Sequence, residues 1–223
     1  IQACDWSSDV CSSDLVFSMH QPGVEIRPIK LIAGNSPFCE TFITDVKVPK
    51  ENLIGPLNGG WSVAKRLLQH ERSGMNGARG GGGAPVPLGV VAKKYVGVDE
   101  TGRLADSDLR TRIIMNEIDT RALAQTVRRA ALEAKGNSGP SAATSIMKNA
   151  NMKAAQDRAE LTLEFMGHQG LGWEGDNFTA DELAAVRGWL SGKAGSIYGG
   201  SNEVQNNIIS KRILGLPDLT QSH

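Results

Sequence analysis

DSDLRTRIIMNEIDTRALAQTVRRAALEAKG, residues 106–136, decides the class of fold. It holds no proline, and Leu109, Ile113, Ile114, Ile118, Leu123 and Val127 recur at spacings compatible with one helical face. Asp106 is placed as an N-cap and Gly136 as the residue that ends the helix, which predicts one long helix to Lys135. Working outward, Pro140 is well placed to open a further helix that ends at Gly167. Met147, Ala150, Ala154, Leu161 and Phe165 line it, with Arg158 in the one gap. Trp61 to Met75 and Pro85–Val98 read as helices on either side of a glycine-rich linker through Gly83. Asp181–Leu190 is a short helix, and Ser201 caps a last one carrying Val204, Ile208, Ile209 and Ile213. Long helices with short connections predict a mainly α chain, an antiparallel helical bundle over residues 58–223.

The segment before it is of another kind. VEIRPIKLIA (24–33) and CETFITDVKV (39–48) alternate apolar and polar residues around the turn Gly34-Asn35-Ser36-Pro37 and read as two strands. Pro28 demotes its strand to an edge or a bulge. Two strands hold no core by themselves, so residues 16–57 read as the end of a larger sheet. Residues 5–15, DWSSDVCSSDL, show no periodicity and match the in-frame translation of a common sequencing-adapter oligonucleotide. Residues 1–15 are therefore expected to be an adapter-derived artefact without structure.

Setting them aside removes Cys4 and Cys11, leaving Cys39 and no disulfide framework, which points to a reducing, cytoplasmic setting. The 24 basic and 24 acidic residues cancel, giving no electrostatic argument for nucleic acid or a membrane surface. No apolar run approaches the ~20 residues of a membrane span. Metal-ligand spacings and phosphate-loop fingerprints are absent too.

Three places carry chemistry. Ala64, Leu68, Glu71 and Met75 share one face of their helix, which sets a carboxylate on an apolar stripe. Burial there raises its pKa toward that of a useful base, whereas a rim position would pair it with Arg72. In IYGGSNEVQ (197–205), two glycines before a capping serine expose backbone N–H groups suited to a phosphate, a ring edge or a carbonyl oxygen gaining charge. An ordinary capped turn has the same residues. In MGHQGLG (166–172), glycines permit close approach of a ligand, as well as simply ending a helix.

Residues 23–72, GVEIRPIKLIAGNSPFCETFITDVKVPKENLIGPLNGGWSVAKRLLQHER, resemble the junction between the middle β-domain and the C-terminal helical domain of acyl-CoA dehydrogenases. SIYGGSNEVQNNIISKRILGLP (196–217) is similar to the terminal signature of that family. The resemblance implies FAD as cofactor and an acyl-CoA thioester as substrate, as in fatty acid β-oxidation. It also implies electron-transfer flavoprotein as electron acceptor, and a homotetramer or heterotetramer. In one subgroup the catalytic base directly follows Ile-Tyr in the signature; here that residue is Gly199. In isovaleryl- and long-chain-type members it belongs to a Glu-Arg pair on the first helix of the C-terminal domain, and Glu71-Arg72 stands at that place. The resemblance therefore implies Glu71 as base, with Arg72 beside the substrate and Gly199 N–H on the thioester carbonyl. It further implies Ser201, Glu203, Gly167 and Gly170 near FAD.

Departures accompany the likeness. The family's Arg-x-x-Phe-Gly segment is missing between Val98 and Arg112, Glu164 replaces a glutamine, and His168 replaces a glycine. Most isoalloxazine contacts of the family belong to segments not in this chain, which implies weak FAD binding by the chain alone. An acyl-CoA oxidase of the same fold and a non-catalytic subunit of a mixed oligomer remain open alternatives.

Overall fold

The computed structural model describes residues 13–75, 86–136 and 144–217, with side chains left aside at 68–75, 134–136 and 144–145. Two compact units emerge, one drawn from Ile1–Lys30 and Ser36–Pro85, the other from Leu31–Asn35 and Val86–His223.

In the first unit, β2 (Val24–Ile29) and β3 (Phe38–Ile43) form an antiparallel pair in the register Val24↔Ile43 to Ile29↔Phe38. Pro28 faces Cys39, a tolerable place because both strands of a two-stranded sheet are edges. Both strands are shorter than the alternation predicts. Leu31–Asn35 closes its own turn, with Leu31 N–H donating to Asn35 O and Gly34 at φ +86°. On the other strand, Asp45 at φ +53° turns the chain away. Ile26, Ile29, Phe38, Phe42 and Ile43 are exposed on the pair.

A second small pair joins β1 (Asp14–Leu15) to β4 (Leu53–Ile54), and Ser13 Oγ accepts from Asn58 N–H. The absence of structure expected for residues 1–15 therefore does not hold at 13–15, where backbone pairing orders the chain; residues 1–12 lie outside the described residues. Helix α1 (Gly60–Met75) completes this unit.

The second unit is the helical bundle: α2 (Leu88–Val96), α3 (Ser107–Gly136), α4 (Thr144–Met166), α5 (Ala180–Gly192) and α6 (Asn202–Ile208). Short 3₁₀ turns at Gly167–Leu171 and Lys193–Ser196 follow α4 and α5, and a π-helical turn at Ile209–Ile213 extends α6. Pro140 and the glycines at 80–83 lie outside the described residues. Helix α4 is the axis, packing against each of the other four helices of this unit. Leu88, Ala92, Leu104, Leu109, Ile113, Leu161, Phe165 and Met166 form the buried cluster between α2, α3 and α4.

Helix ends are fixed by specific acceptors. Asp106 Oδ1 accepts from Leu109 N–H at 2.9 Å, the cap anticipated from sequence. Thr179 and Glu182 form a reciprocal capping box on α5. The start of α2 is capped from another helix: Glu117 Oε1 accepts from Leu88 N–H at 3.0 Å. Arg158, the gap in the α4 stripe, serves the same end by donating to Val86 O and lying 3.6 Å from Glu117.

Two expected core positions on α3 prove to be exposed, Ile114 at 51% and Ile118 at 52%. The inner face runs through Leu109, Ile113 and Asn116 instead, and buried Asn116 donates to Ala154 O. No described helix is long and apolar enough to cross a membrane.

Candidate functional site

Ile197–Gln205 folds as a tight turn running into a short helix. The chain enters it from the 3₁₀ turn at Lys193–Ser196, with Tyr198 N–H donating to Ala194 O at 3.0 Å. Gly199 and Gly200 then take φ +67° and +93°, a left-handed sequence that side chains oppose and glycine permits. Among the described residues, the Gly199 N–H has no acceptor within the protein. Such a donor suits an oxygen that carries or gains negative charge.

Ser201 caps α6, its hydroxyl accepting from Val204 N–H at 3.4 Å. Glu203 is held below the ordinary carboxylate pKa, first by its own backbone N–H and then by the Ser201 hydroxyl. It is thus an anion at neutral pH, on the rim of the turn. Gln205 Nε2 donates back to Gly199 O at 3.1 Å. Helix α6 is fastened to the first half of α4 by Asn149 Nδ2 donating to Asn206 Oδ1 at 2.9 Å and Lys148 Nζ lying 3.5 Å from Asn202 Oδ1.

The Gly167–Leu171 turn stands at the other end of α4. Nineteen residues separate Lys148 from Gly167, roughly 28 Å of helix. The two glycine motifs therefore do not meet within this unit. Gly167 has φ +57° and open space around it, whereas Gly170 is buried against the Leu163 backbone. For Gly170 the missing side chain is a packing requirement.

Glu164 and the segment before Arg112 explain themselves locally. Arg112 donates two hydrogen bonds of 2.6 Å to the Glu164 carboxylate, joining α3 to α4. The loop from Gly97 to Leu104 closes around Asp99, whose Oδ1 accepts from Thr101 N–H, Thr101 Oγ1 and Arg103 N–H. These bonds, the Thr101 hydroxyl foremost, hold the Asp99 carboxyl below the usual range. Lys93 and Arg110 donate to the carbonyl oxygens of Gly102 and Leu104. The loop is satisfied by its own residues.

Glu71 and Arg72 lie on α1, in the first unit, and their side chains are outside the described residues. Ala64, seven positions before Glu71 and so on the same face of α1, is half-buried. Among the described residues no group of three His, Cys, Asp or Glu could hold a metal ion.

Sequence reasoning missed Gln205 and the Lys148–Asn149 pair. The partners of Lys148 and Asn149 are reached only after α6 folds back on α4, and Gln205 meets Gly199 O only once the glycine turn closes.

A family model described as acyl-CoA dehydrogenase, C-terminal domain, matches residues 58–214. The acyl-CoA dehydrogenase FadE34 of Mycobacterium tuberculosis is 32% identical over 203 residues, which is 91% of this chain and 26% of that protein. The acyl-CoA dehydrogenase IpdE1 of Mycolicibacterium smegmatis is 31% identical over 206 residues, 92% of this chain and 49% of that one. The chain thus spans between a quarter and a half of the length of these curated relatives. Among solved structures, the ChsE4-ChsE5 complex from Mycobacterium tuberculosis matches in fold with a TM-score of 0.70 at 24% identity, over 92% of this chain and 53% of the matched chain.

Proposed function

The chain belongs to the acyl-CoA dehydrogenase family, and on that premise we propose that it is the C-terminal part of an FAD-dependent enzyme that converts an acyl-CoA to the trans-2-enoyl-CoA. In this reading residues 58–223 are its helical domain. The observation that carries it is the Gly199–Gly200 turn, in which the Gly199 N–H has no acceptor among the described residues.

Gly199 N–H donates to the thioester carbonyl oxygen. As the α-proton leaves, charge gathers on that oxygen, and a fixed donor there is worth about 3–4 kcal/mol of the barrier. Glu71 takes the α-proton, with Arg72 beside the substrate. Its sequence position on the stripe of Ala64, Leu68 and Met75, in a Glu-Arg pair, supports it as the base. FAD, when bound, supplies the acceptor for the β-hydride. Two neighbourhoods of this chain suit it differently. Ser201 and Glu203 stand on the rim of the turn, where a polar cofactor edge can reach them. Gly167 offers an open approach at the far end of α4, so it serves a flavin other than the one beside Ser201, as between subunits of a tetramer, while buried Gly170 sets the packing of that turn. At the loop from Gly97 to Leu104, where the family's Arg-x-x-Phe-Gly segment is missing, Lys93 and Arg110 are engaged with carbonyl oxygens of the chain itself.

That last observation favours a second reading, in which this chain is the subunit of a mixed oligomer that does not hold the flavin itself. An assembly of two different chains is described for the ChsE4-ChsE5 complex. Electron-transfer flavoprotein is the proposed electron acceptor and the cytoplasm the proposed location.

Glu71→Gln in the full-length, flavin-loaded protein tests the first reading. Turnover of acyl-CoA should vanish while bound FAD is kept; unchanged turnover would refute the assignment.

A further inference from the structure

We infer that Gln205 is a positioning residue for the thioester carbonyl site, its carboxamide fixing the Gly199 peptide so that the neighbouring N–H stays available to substrate. The inference rests on the reading of Gly199 as that site and adds the side chain that holds it.

Two successive glycines are the least constrained residues a chain can place at a binding site. A useful donor must nevertheless keep its geometry, since preorganisation is what makes it effective. On the entry side, Tyr198 N–H is tied to Ala194 O. Past the glycines, Gln205 supplies the second tie: Nε2 donates to Gly199 O at 3.1 Å while its own N–H bonds Ser201 O at 3.0 Å.

Gly200 makes room for this. A Cβ placed there would lie 2.7 Å from Gln205 Nε2 and 3.7 Å from its Cδ. The carboxamide therefore occupies the space that any side chain at 200 would need. Behind it, the Asn149–Asn206 hydrogen bond anchors α6 to α4, so Gln205 is braced against the bundle. Glutamate, the same shape without a donor, would set a negative charge against the Gly199 carbonyl and push the peptide away.

The test compares two ligands in the full-length, flavin-loaded protein by titration calorimetry: a CoA thioester that binds but cannot be oxidised and its thioether analogue, in which a methylene replaces the carbonyl. Gln205→Glu should weaken the thioester about tenfold and leave the thioether unchanged. Gln205→Met, of similar length but without a donor or a charge, should give the same selective loss, so the test does not depend on one variant folding. Equal weakening of both ligands would mark Gln205 as merely structural and overturn the proposal. An undiminished preference for the thioester in both variants would do so as well. Should the unmutated protein fail to prefer the thioester, the carbonyl-site reading falls first, and the inference with it.

Discussion

Replacing Gly170 with alanine separates a packing role from a ligand-contact role. A methyl group at this position would lie 2.6 Å from the Leu163 carbonyl oxygen, 3.2 Å from its Cα and 3.3 Å from its carbonyl carbon. All three are backbone atoms of α4, so no rotamer change relieves the clash. Contact distances near 3.4 Å would require the turn and the helix to separate by roughly 0.8 Å. Overpacking of that kind costs about 1–3 kcal/mol. With a urea m-value of about 2 kcal/mol/M, the unfolding midpoint should drop by roughly 0.5–1.5 M. The measurement is urea unfolding of the flavin-free protein followed by circular dichroism. Gly167→Ala is the control: φ is +57° with no atom within 4 Å, so only left-handed strain of about 1–2 kcal/mol applies. An unchanged midpoint for Gly170→Ala, coupled with weaker FAD binding, would refute the packing argument.

Three further expectations follow from the bundle. Glu182 lies below its ordinary pKa of 4.5, chiefly through the Thr179 N–H. A lowered folded pKa gives stability that is present above the unfolded value and lost as pH falls through the folded one. The stability gap between the native protein and Glu182→Gln should therefore be widest near neutrality and close below pH 4.5, as urea midpoints across that range will show. Arg112→Met should cost less than about 1 kcal/mol, because Arg112 and Glu164 are 45% and 48% exposed. Phe165→Ala, in contrast, empties a core position and should cost about 3–5 kcal/mol in the same unfolding assay.

Local chemistry was legible in the sequence where one element decides it. Asp106 and Ser201 cap the helices they were assigned to, and the apolar spacing located α3, α4 and α6. Periodicity could not say which of two apolar faces on α3 is covered, and Ile114 and Ile118 belong to the face that this chain leaves open. It was equally blind to polar groups whose partners are remote in sequence. Asn116 sits in the core because α4 offers Ala154 O, whereas half-buried Glu117 is spent on capping α2 and half-buried Arg158 lies beside it. At the candidate site the glycines and the serine were visible, while the brace at Gln205 existed only once the turn was closed. The strands ended early for a related reason: Leu31–Asn35 buries Ala33 within the helical unit, a tertiary contact that alternation does not encode.

The central claim is that Glu71 removes the proton next to the thioester carbonyl. Its most direct test follows exchange of that hydrogen with deuterated water by NMR, using a CoA thioester that binds but cannot be oxidised. The flavin-loaded protein should exchange it, and Glu71→Gln should not, with ligand affinity kept. Exchange that persists at the native rate in Glu71→Gln would contradict the account.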